Sequence, residues 1–267
     1  MRKLLIILTC IIAFSCEERI EDSINAQNTD LIVVEGVLTN ELKNHRVRLT
    51  RPYATQNADE NPISNALVVI VDSDENFTVL REFPRGSGNY YTDSLIAVFG
   101  KAYLLYIKIG DVEYTGFDAS PVGQPLGPLP LIENLEDDPV SYSIEPLEVG
   151  TVPNYIIYNI SWFTSPQCVS DCFGQVIHYD LKTIDVQETY APEKEVFKFP
   201  VGSRIVRRKF NVSSRYQEYL RSLLSETEWR GGVFDVEKAN VKTNMSEGAI
   251  GFFAVTTVVS DTITIIN

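Results

Sequence analysis

The sequence predicts a mainly β protein with two consecutive β domains and one amphipathic helix. Tyrosine and phenylalanine are abundant, at 13 residues each, whereas methionine occurs only twice. Aromatic and β-branched residues favour strands. Apolar and polar residues also alternate over short segments that end in turn-forming residues, which is typical of half-buried strands. A chain of 267 residues can form one large or two smaller domains.

The N-terminus is expected to be a secretory signal. Two basic residues precede an uncharged apolar run at 4–14, which is shorter than the ~20 apolar residues of a membrane-spanning helix. The sequence Ala-Phe-Ser-Cys at 13–16 resembles the lipobox of bacterial lipoproteins. We therefore predict a signal peptide at 1–15 and a lipid on Cys16. An ordinary signal peptide that leaves Cys16 unmodified is the alternative.

Residues 16–30 are predicted to be an acidic tether. Several carboxylates directly follow Cys16 and resemble the export signal that sends lipoproteins of Bacteroidota to the outer face of the outer membrane. Two or three acyl chains hold a protein on a membrane far more stably than one. We therefore expect a lipid-anchored protein that faces the cell exterior. An acidic, disordered N-terminus without this meaning is the alternative.

The segment 31–118 is predicted to form an immunoglobulin-like or prealbumin-like β-sandwich. Its strands are expected to be short, closely spaced and separated by turn residues. A polar tip at 72–76 separates two β-branched runs and predicts a hairpin. The predicted strand segments lie at 31–38, 46–53, 65–83 with its central turn, 88–95 and 101–116.

A proline-rich segment at 119–139 is predicted to be a linker. Four of the chain's 13 prolines lie within 120–130, and an acidic stretch follows. Such a composition is typical of a domain boundary.

The segment 140–267 is predicted to be a second antiparallel β domain. Strand patterns occur at 154–163, 174–186, 195–200 and 203–212. One helix is expected at about 213–226, where Ser214 and Gln217 have the spacing of a capping box and apolar residues form one stripe. The last segment, 248–266, is expected to form two strands around a turn at Ser260 and Asp261.

Cys168 and Cys172 are the two cysteines that remain after the signal segment. Outside the cytosol such a pair usually oxidises, so we predict a small disulfide loop. The chain has only two histidines, so we expect no metal site and no cofactor other than the lipid.

The histidines also argue against a catalytic site, and we expect the protein not to be an enzyme. His45 and His178 are predicted to be exposed or paired within strands, not general bases. The polar tip at 72–76 imitates the start of an EF-hand loop, but Phe77 stands where that loop needs glycine. Abundant carboxylates leave a carboxylate-dependent hydrolase open as a weaker alternative.

The net charge of −13 argues against binding to nucleic acid or directly to anionic lipid headgroups. One basic cluster stands out, at Arg204, Arg207, Arg208 and Lys209. Strand alternation places Arg204 and Arg208 on one face and the other two on the opposite face. A solvated strand face is expected, and a contact with an acidic partner is the alternative.

Four stretches together resemble the lipoprotein family of Bacteroidota known as domain of unknown function 4249. Near the C-terminus, several residues occur in the same order as in the family: Phe234-Asp235, Asn244, Gly248 and Gly251-Phe252-Phe253. The stretches are 31–40, 62–80 with 88–116, 154–162, and 212–224 with 231–255. The interval between the predicted linker and the helix is shorter than in the family.

The resemblance implies an outer-membrane lipoprotein that accompanies a TonB-dependent transporter, with no family catalytic residues to carry over. We therefore expect an accessory binding protein for ligand capture or uptake, whose small-molecule, peptide or glycan ligand is undefined. An independent adhesion module that binds glycan or protein is the alternative. Exposed aromatic residues would favour it, and the candidates are Tyr53, Tyr90 and Tyr91.

Overall fold

The computed structural model describes residues 31–53, 59–145, 150–163, 165–166, 168, 170, 172–193, 195–233 and 241–266. The predicted signal peptide, Cys16 and the acidic tether lie outside these ranges. Within them the protein is mainly β, which confirms the predicted fold class. No helix in the described part of the chain is long and apolar enough to cross a membrane.

The described residues of the first half form eight strands. Seven follow the predicted segments closely, and the two-residue strand at 61–62 lies outside them. Strands alternate buried and exposed residues, because every second side chain points toward the core. The strands are β1 (Ile32–Thr39), β2 (Lys43–Arg51), β3 (Asn61–Pro62), β4 (Leu67–Asp72), β5 (Phe77–Glu82), β6 (Asn89–Leu95), β7 (Ala102–Ile109) and β8 (Val112–Ala119).

Among its described residues, the second half has seven strands and two helices. The short helix α1 escaped sequence analysis, whereas α2 lies where a helix is predicted. The elements are β9 (Leu131–Asn134), β10 (Ser141–Ile144), β11 (Asn154–Ser161), β12 (Phe173–Asp180), α1 (Val186–Thr189), β13 (Phe199–Pro200), β14 (Arg204–Asn211), α2 (Ser214–Glu226) and β15 (Ala249–Thr264).

Most strands belong to one mixed sheet of twelve strands. Its order is β12-β11-β14-β15-β1-β2-β6-β5-β4-β7-β8, and β3 pairs with β2. A second sheet of three strands has the order β13-β10-β9. The sheet curls back on itself in the first half, so that β8 lies beside β15 and both enclose the first apolar core.

Strand β15 belongs to both halves of the molecule. Its first part, from Ala249 to Thr256, pairs in parallel with β1, and its second part pairs antiparallel with β14. The prediction of a turn at Ser260 and Asp261 is wrong, because both residues continue the ladder opposite Arg208 and Arg207. An ion pair to β14 therefore stabilises an extended conformation that the local sequence does not favour.

Side chains of the second half bind the edge of β8 and join the halves further. Asn244 donates to the carbonyl oxygens of Phe117 and Phe253, at 2.9 and 2.7 Å, and accepts from the Phe253 amide. The buried Asp118 carboxylate accepts from the Val255 amide at 2.9 Å. Gly251 has a φ of +92°, and a Cβ there would lie 2.1 Å from the Val34 oxygen, so this position requires glycine.

The proline-rich segment is packed against the second half. Its half-buried Leu126 and Leu129 contact a core formed by β11, β14 and the small sheet. Its backbone also binds β14, since the Gln124 amide donates to the Asn211 side chain at 3.1 Å. The segment predicted as a linker thus covers one face of the second sheet half, and β9 lies within it.

Helix α2 covers part of the opposite face of the same strands. Ser213, not the predicted Ser214, is its N-cap, because the Ser213 hydroxyl accepts from the Tyr216 amide. Its buried residues Tyr216, Leu220 and Leu224 form the predicted apolar stripe. They pack against Phe252 and neighbouring sheet residues.

Candidate interaction surface

The strongest candidate site is the outward face of strands β5, β4, β7 and β8, which is apolar. The inward residues of these strands, including Val68, Ile70 and Leu105, are fully buried in the core. The alternate residues point away from that core, and most of them are apolar as well. These strands are therefore apolar on both faces, although only one face contacts the core.

Strand register aligns the outward residues in two rows, which we call the apolar face. Residues paired across neighbouring strands lie on the same side of a sheet. The first row is Phe77, Val71, Leu104 and Phe117, and the second is Val79, Val69, Tyr106 and Thr115.

The apolar face is exposed in the structure. Phe77 is 75% exposed, Val79 47%, Phe117 40% and Leu104 37%. Val69, Val71 and Tyr106, in the middle of the rows, are half-buried, because their neighbours in the sheet shield them. Scattered single apolar residues are normal on a protein surface, but a contiguous patch marks an interaction site.

Charged groups at the ends of the strands border the apolar face. At one end, Lys108 contacts Glu113 at 3.3 Å. A hydrogen bond between Tyr106 and Glu113 lowers the pKa of the carboxyl and raises the pKa of the phenol. Arg215 of α2 lies 5.1 Å from the centre of the Phe117 ring. The apolar rows thus have a polar rim, as protein interfaces commonly do.

A second rim group is the turn between β4 and β5. The Asp72 carboxylate accepts from the amides of Asp74 and Asn76, at 2.9 and 3.0 Å, and from the Lys101 ammonium at 2.8 Å. These contacts, with Lys101 the largest, hold the pKa of Asp72 far below its usual range. The polar tip that imitates a calcium loop therefore forms a hairpin turn closed by a lysine.

The predicted basic cluster is divided between two environments. Arg207 and Lys209 are buried on the face covered by the proline-rich segment. Arg207 binds Asp261 through two nitrogens and donates to the Gly127 carbonyl at 3.0 Å. Lys209 donates to the Pro125 carbonyl at 3.3 Å, and burial lowers its pKa. Both side chains are thus occupied inside the molecule.

The other two basic residues lie on the accessible face. Arg204 is exposed. Arg208 is half-buried, binds Glu41 at 2.6 Å and lies 5.0 Å from the centre of the Phe210 ring. Only Arg204 and Arg208 of the four are therefore placed to reach a partner, and that contact stays a prediction.

The two predicted disulfide cysteines lie together. Cys168 and Cys172 form a disulfide with their Cα atoms 5.5 Å apart. The loop they close directly precedes β12, and Cys172 is buried.

The predicted aromatic and histidine candidates do not form a common site. Tyr90 is buried, and its hydroxyl donates to the Ile63 carbonyl at 2.9 Å. Tyr53 is 47% exposed and Tyr91 half-buried. The buried His45 contacts the Leu95 carbonyl at 3.0 Å through Nε2, and burial lowers its pKa.

The apolar face was missed in the sequence, although its signal is present. Strands β4 and β7 read Leu-Val-Val-Ile-Val and Ala-Tyr-Leu-Leu-Tyr-Ile, without polar residues at alternate positions. A continuous apolar run predicts a strand covered on both faces. The sequence shows this double pattern but not which of the two faces is left open.

Comparison with known proteins gives a family and no function. Residues 17–262 match the family model described as domain of unknown function, DUF4249. No curated protein matches the chain. The match spans both halves of the molecule, including the strands of the apolar face.

Proposed function

We propose a binding function for this chain, which belongs to the DUF4249 family: a lipid-anchored accessory protein of a TonB-dependent transporter in the outer membrane. The observation that carries the proposal is the exposed apolar face, defined by the rows of Phe77 and Val79. Such a face on a protein with net charge −13 suits a specific partner better than free solvent.

The proposed mechanism is interfacial. A lipid on Cys16 would keep the fold at the membrane surface, facing the cell exterior. The apolar face would then dock against an apolar surface of the transporter, while its charged rim fixes the orientation. No chemical step is required, so the protein acts by placing a ligand or a loop beside the transporter.

A pull-down from native outer membranes tests this function. The C-terminally tagged protein is purified in mild detergent, and co-purifying proteins are identified by mass spectrometry. We expect stoichiometric recovery of one TonB-dependent transporter. The Cys16→Ala variant is expected to reduce that recovery, because it removes the membrane anchor.

Variants of the apolar face make the test specific to the surface. The double variant Phe77→Ser, Leu104→Ser is expected to lower transporter recovery more than about tenfold, as loss of central interface contacts does. A matched control is Leu135→Ser, Ile184→Ser, since both residues are highly exposed but lie elsewhere. Equal recovery with both variants would reject the apolar face as the docking surface.

Recovery of the lipoprotein alone would reject the transporter partnership. A protein that remains on the membrane through Cys16 without a transporter would instead be an independent surface module for adhesion. Binding to glycan and protein arrays then becomes the relevant measurement.

A further inference from the structure

Strand β12 is an open edge of the large sheet. It pairs with β11 on one side and has no strand on the other among the described residues. Natural proteins usually protect such edges with lysine, proline or a bulge. The eight residues of β12 contain none of these devices and pair with β11 in continuous register.

The hydrogen-bond pattern shows which backbone groups point outward. The Trp162 amide donates to the Cys172 carbonyl at 3.0 Å. Trp162 and Cys172 are therefore a hydrogen-bonded pair of the antiparallel ladder. Hydrogen-bonded and non-bonded pairs alternate. The backbone groups of Gln175, Ile177 and Tyr179 therefore point away from β11, and within the described chain they have no backbone partner.

A groove of about 440 Å³ runs along this open edge. One wall is β12, and the other is formed by the segment 195–197 and the C-terminal end of α2. Its base is apolar, since Leu224 and Trp229 are buried and Phe197 is half-buried. An extended peptide beside a strand needs this combination of open backbone groups and side-chain pockets.

Charge determines the occupant. The exposed Glu195 lines the groove, and no lysine or arginine of the described residues does. A second copy of this chain would bring like charges together at the same edge, on top of a net charge of −13 per molecule. A segment with basic residues would complement the groove instead.

We propose that the β12 groove binds an extended, basic segment of a partner protein, which adds one strand to the sheet. Alternate apolar side chains of that segment would enter the pocket above Leu224 and Trp229, while lysine or arginine side chains meet the Glu195 carboxylate. This site is separate from the apolar face and does not depend on the proposed transporter partnership.

Peptide binding tests the proposal directly. The chain from residue 16 with Cys16→Ala is titrated into a fluorescein-labelled peptide that alternates valine and lysine, and anisotropy is followed. The control peptide alternates valine and glutamate. We expect the basic peptide to bind at least about tenfold more tightly, because like charges oppose the acidic one.

Proline substitution tests the backbone pairing. Ile177→Pro removes an outward amide while the β11 ladder stays intact, and proline is tolerated on strand edges. It should weaken the basic peptide about threefold to tenfold through the lost hydrogen bond. Ile177→Thr keeps the amide and serves as the matched control.

A peptide methylated on alternate amides repeats this test without altering the protein, in case Ile177→Pro fails to fold. Methylation in one register should abolish binding, and methylation in the other should leave it. Equal affinity for the acidic peptide, or equal binding of both methylated peptides, would overturn the proposal. Dimers that Ile177→Pro dissociates would also overturn it, since a second copy would then occupy the edge.

Discussion

The molecule has two outward sheet faces that differ sharply in chemistry. The apolar face in the first half carries Phe77 and Leu104. The outward face of β12, β11, β14 and β15, which we call the polar face, is mostly polar and charged. Its rows are Gln175, Asn159, Val206 and Thr262, then Phe173, Ser161, Arg204 and Thr264.

The difference follows from what covers each sheet. Beyond the polar face, the same strands present Tyr155, which packs against α2, and Phe210, which stacks on Tyr155 at 4.7 Å. In the second half, the outward strand residues that α2 does not cover are thus mostly polar. In the first half the outward rows remain apolar although they are exposed. A bound partner would cover this face, as α2 covers part of the sheet in the second half.

The largest expected effect separates the two sides of β14. Arg207→Met should lower the free energy of unfolding by about 2 to 3 kcal/mol, because it leaves Asp261 and the Gly127 carbonyl without their buried partner. Arg204→Met, on the exposed polar face, should change it by less than about 0.5 kcal/mol. Urea unfolding measures both. Similar values would show that the polar face is not a simple solvated surface.

Hydrophobic dye binding should distinguish the two faces next. Phe77→Ser with Leu104→Ser should remove most of the fluorescence of a bound naphthalene sulfonate dye. The free energy of unfolding should change by less than about 1 kcal/mol. The control Thr262→Ser with Thr264→Ser alters the polar face and should leave the signal unchanged. Dye binding that survives the first variant would place the accessible apolar surface elsewhere.

Acid should affect two aspartates of the first half with opposite sign. Lys101 lowers the pKa of Asp72, so its stabilisation is present above the unfolded pKa and is lost as pH falls toward the folded value. Asp72→Asn should therefore cost about 1 kcal/mol at pH 7, and less at pH 3. Urea unfolding at both pH values measures the difference.

Burial raises the pKa of Asp118, so the folded state holds its proton more tightly. The free energy of unfolding of the wild type should rise relative to that of Asp118→Asn as pH falls through the folded pKa. The rise should be complete below the unfolded pKa. The two variants thus have opposite pH slopes in the same unfolding experiment. Parallel slopes would contradict the buried position of Asp118 beside β15.

The smallest effect is expected from charge reversal on the polar face. Arg204→Glu should change transporter recovery by less than about twofold, because an exposed charge outside the proposed docking surface adds little affinity. A loss as large as that of the Phe77 and Leu104 variant would assign docking to the polar face, as the basic cluster alternative supposes.

The local sequence predicted the strands well, but it did not predict which strand faces are covered by distant segments of the chain. Period-two alternation and turn residues identify β1, β2, β11 and β14, because these signals lie within a few neighbouring residues. The burial of Arg207 depends on the Gly127 carbonyl, which comes from a segment far away in the chain. Alternation correctly separated the two sides of β14 but could not show which side a distant segment covers.

The turn at Ser260 and Asp261 failed for a similar reason. Serine and aspartate favour turns locally, but the pairing of Asp261 with Arg207 keeps the strand extended. The apolar face was missed for a different reason. The double-sided apolar runs of β4 and β7 are visible in the sequence, yet only the register shows that Phe77 and Leu104 meet in one row.

Strand β15 also sets the order in which the molecule can be completed. β1 is made first, but its parallel neighbour is made last. β1 therefore pairs only with β2 until residues 249–256 have been made, and such distant pairings form slowly.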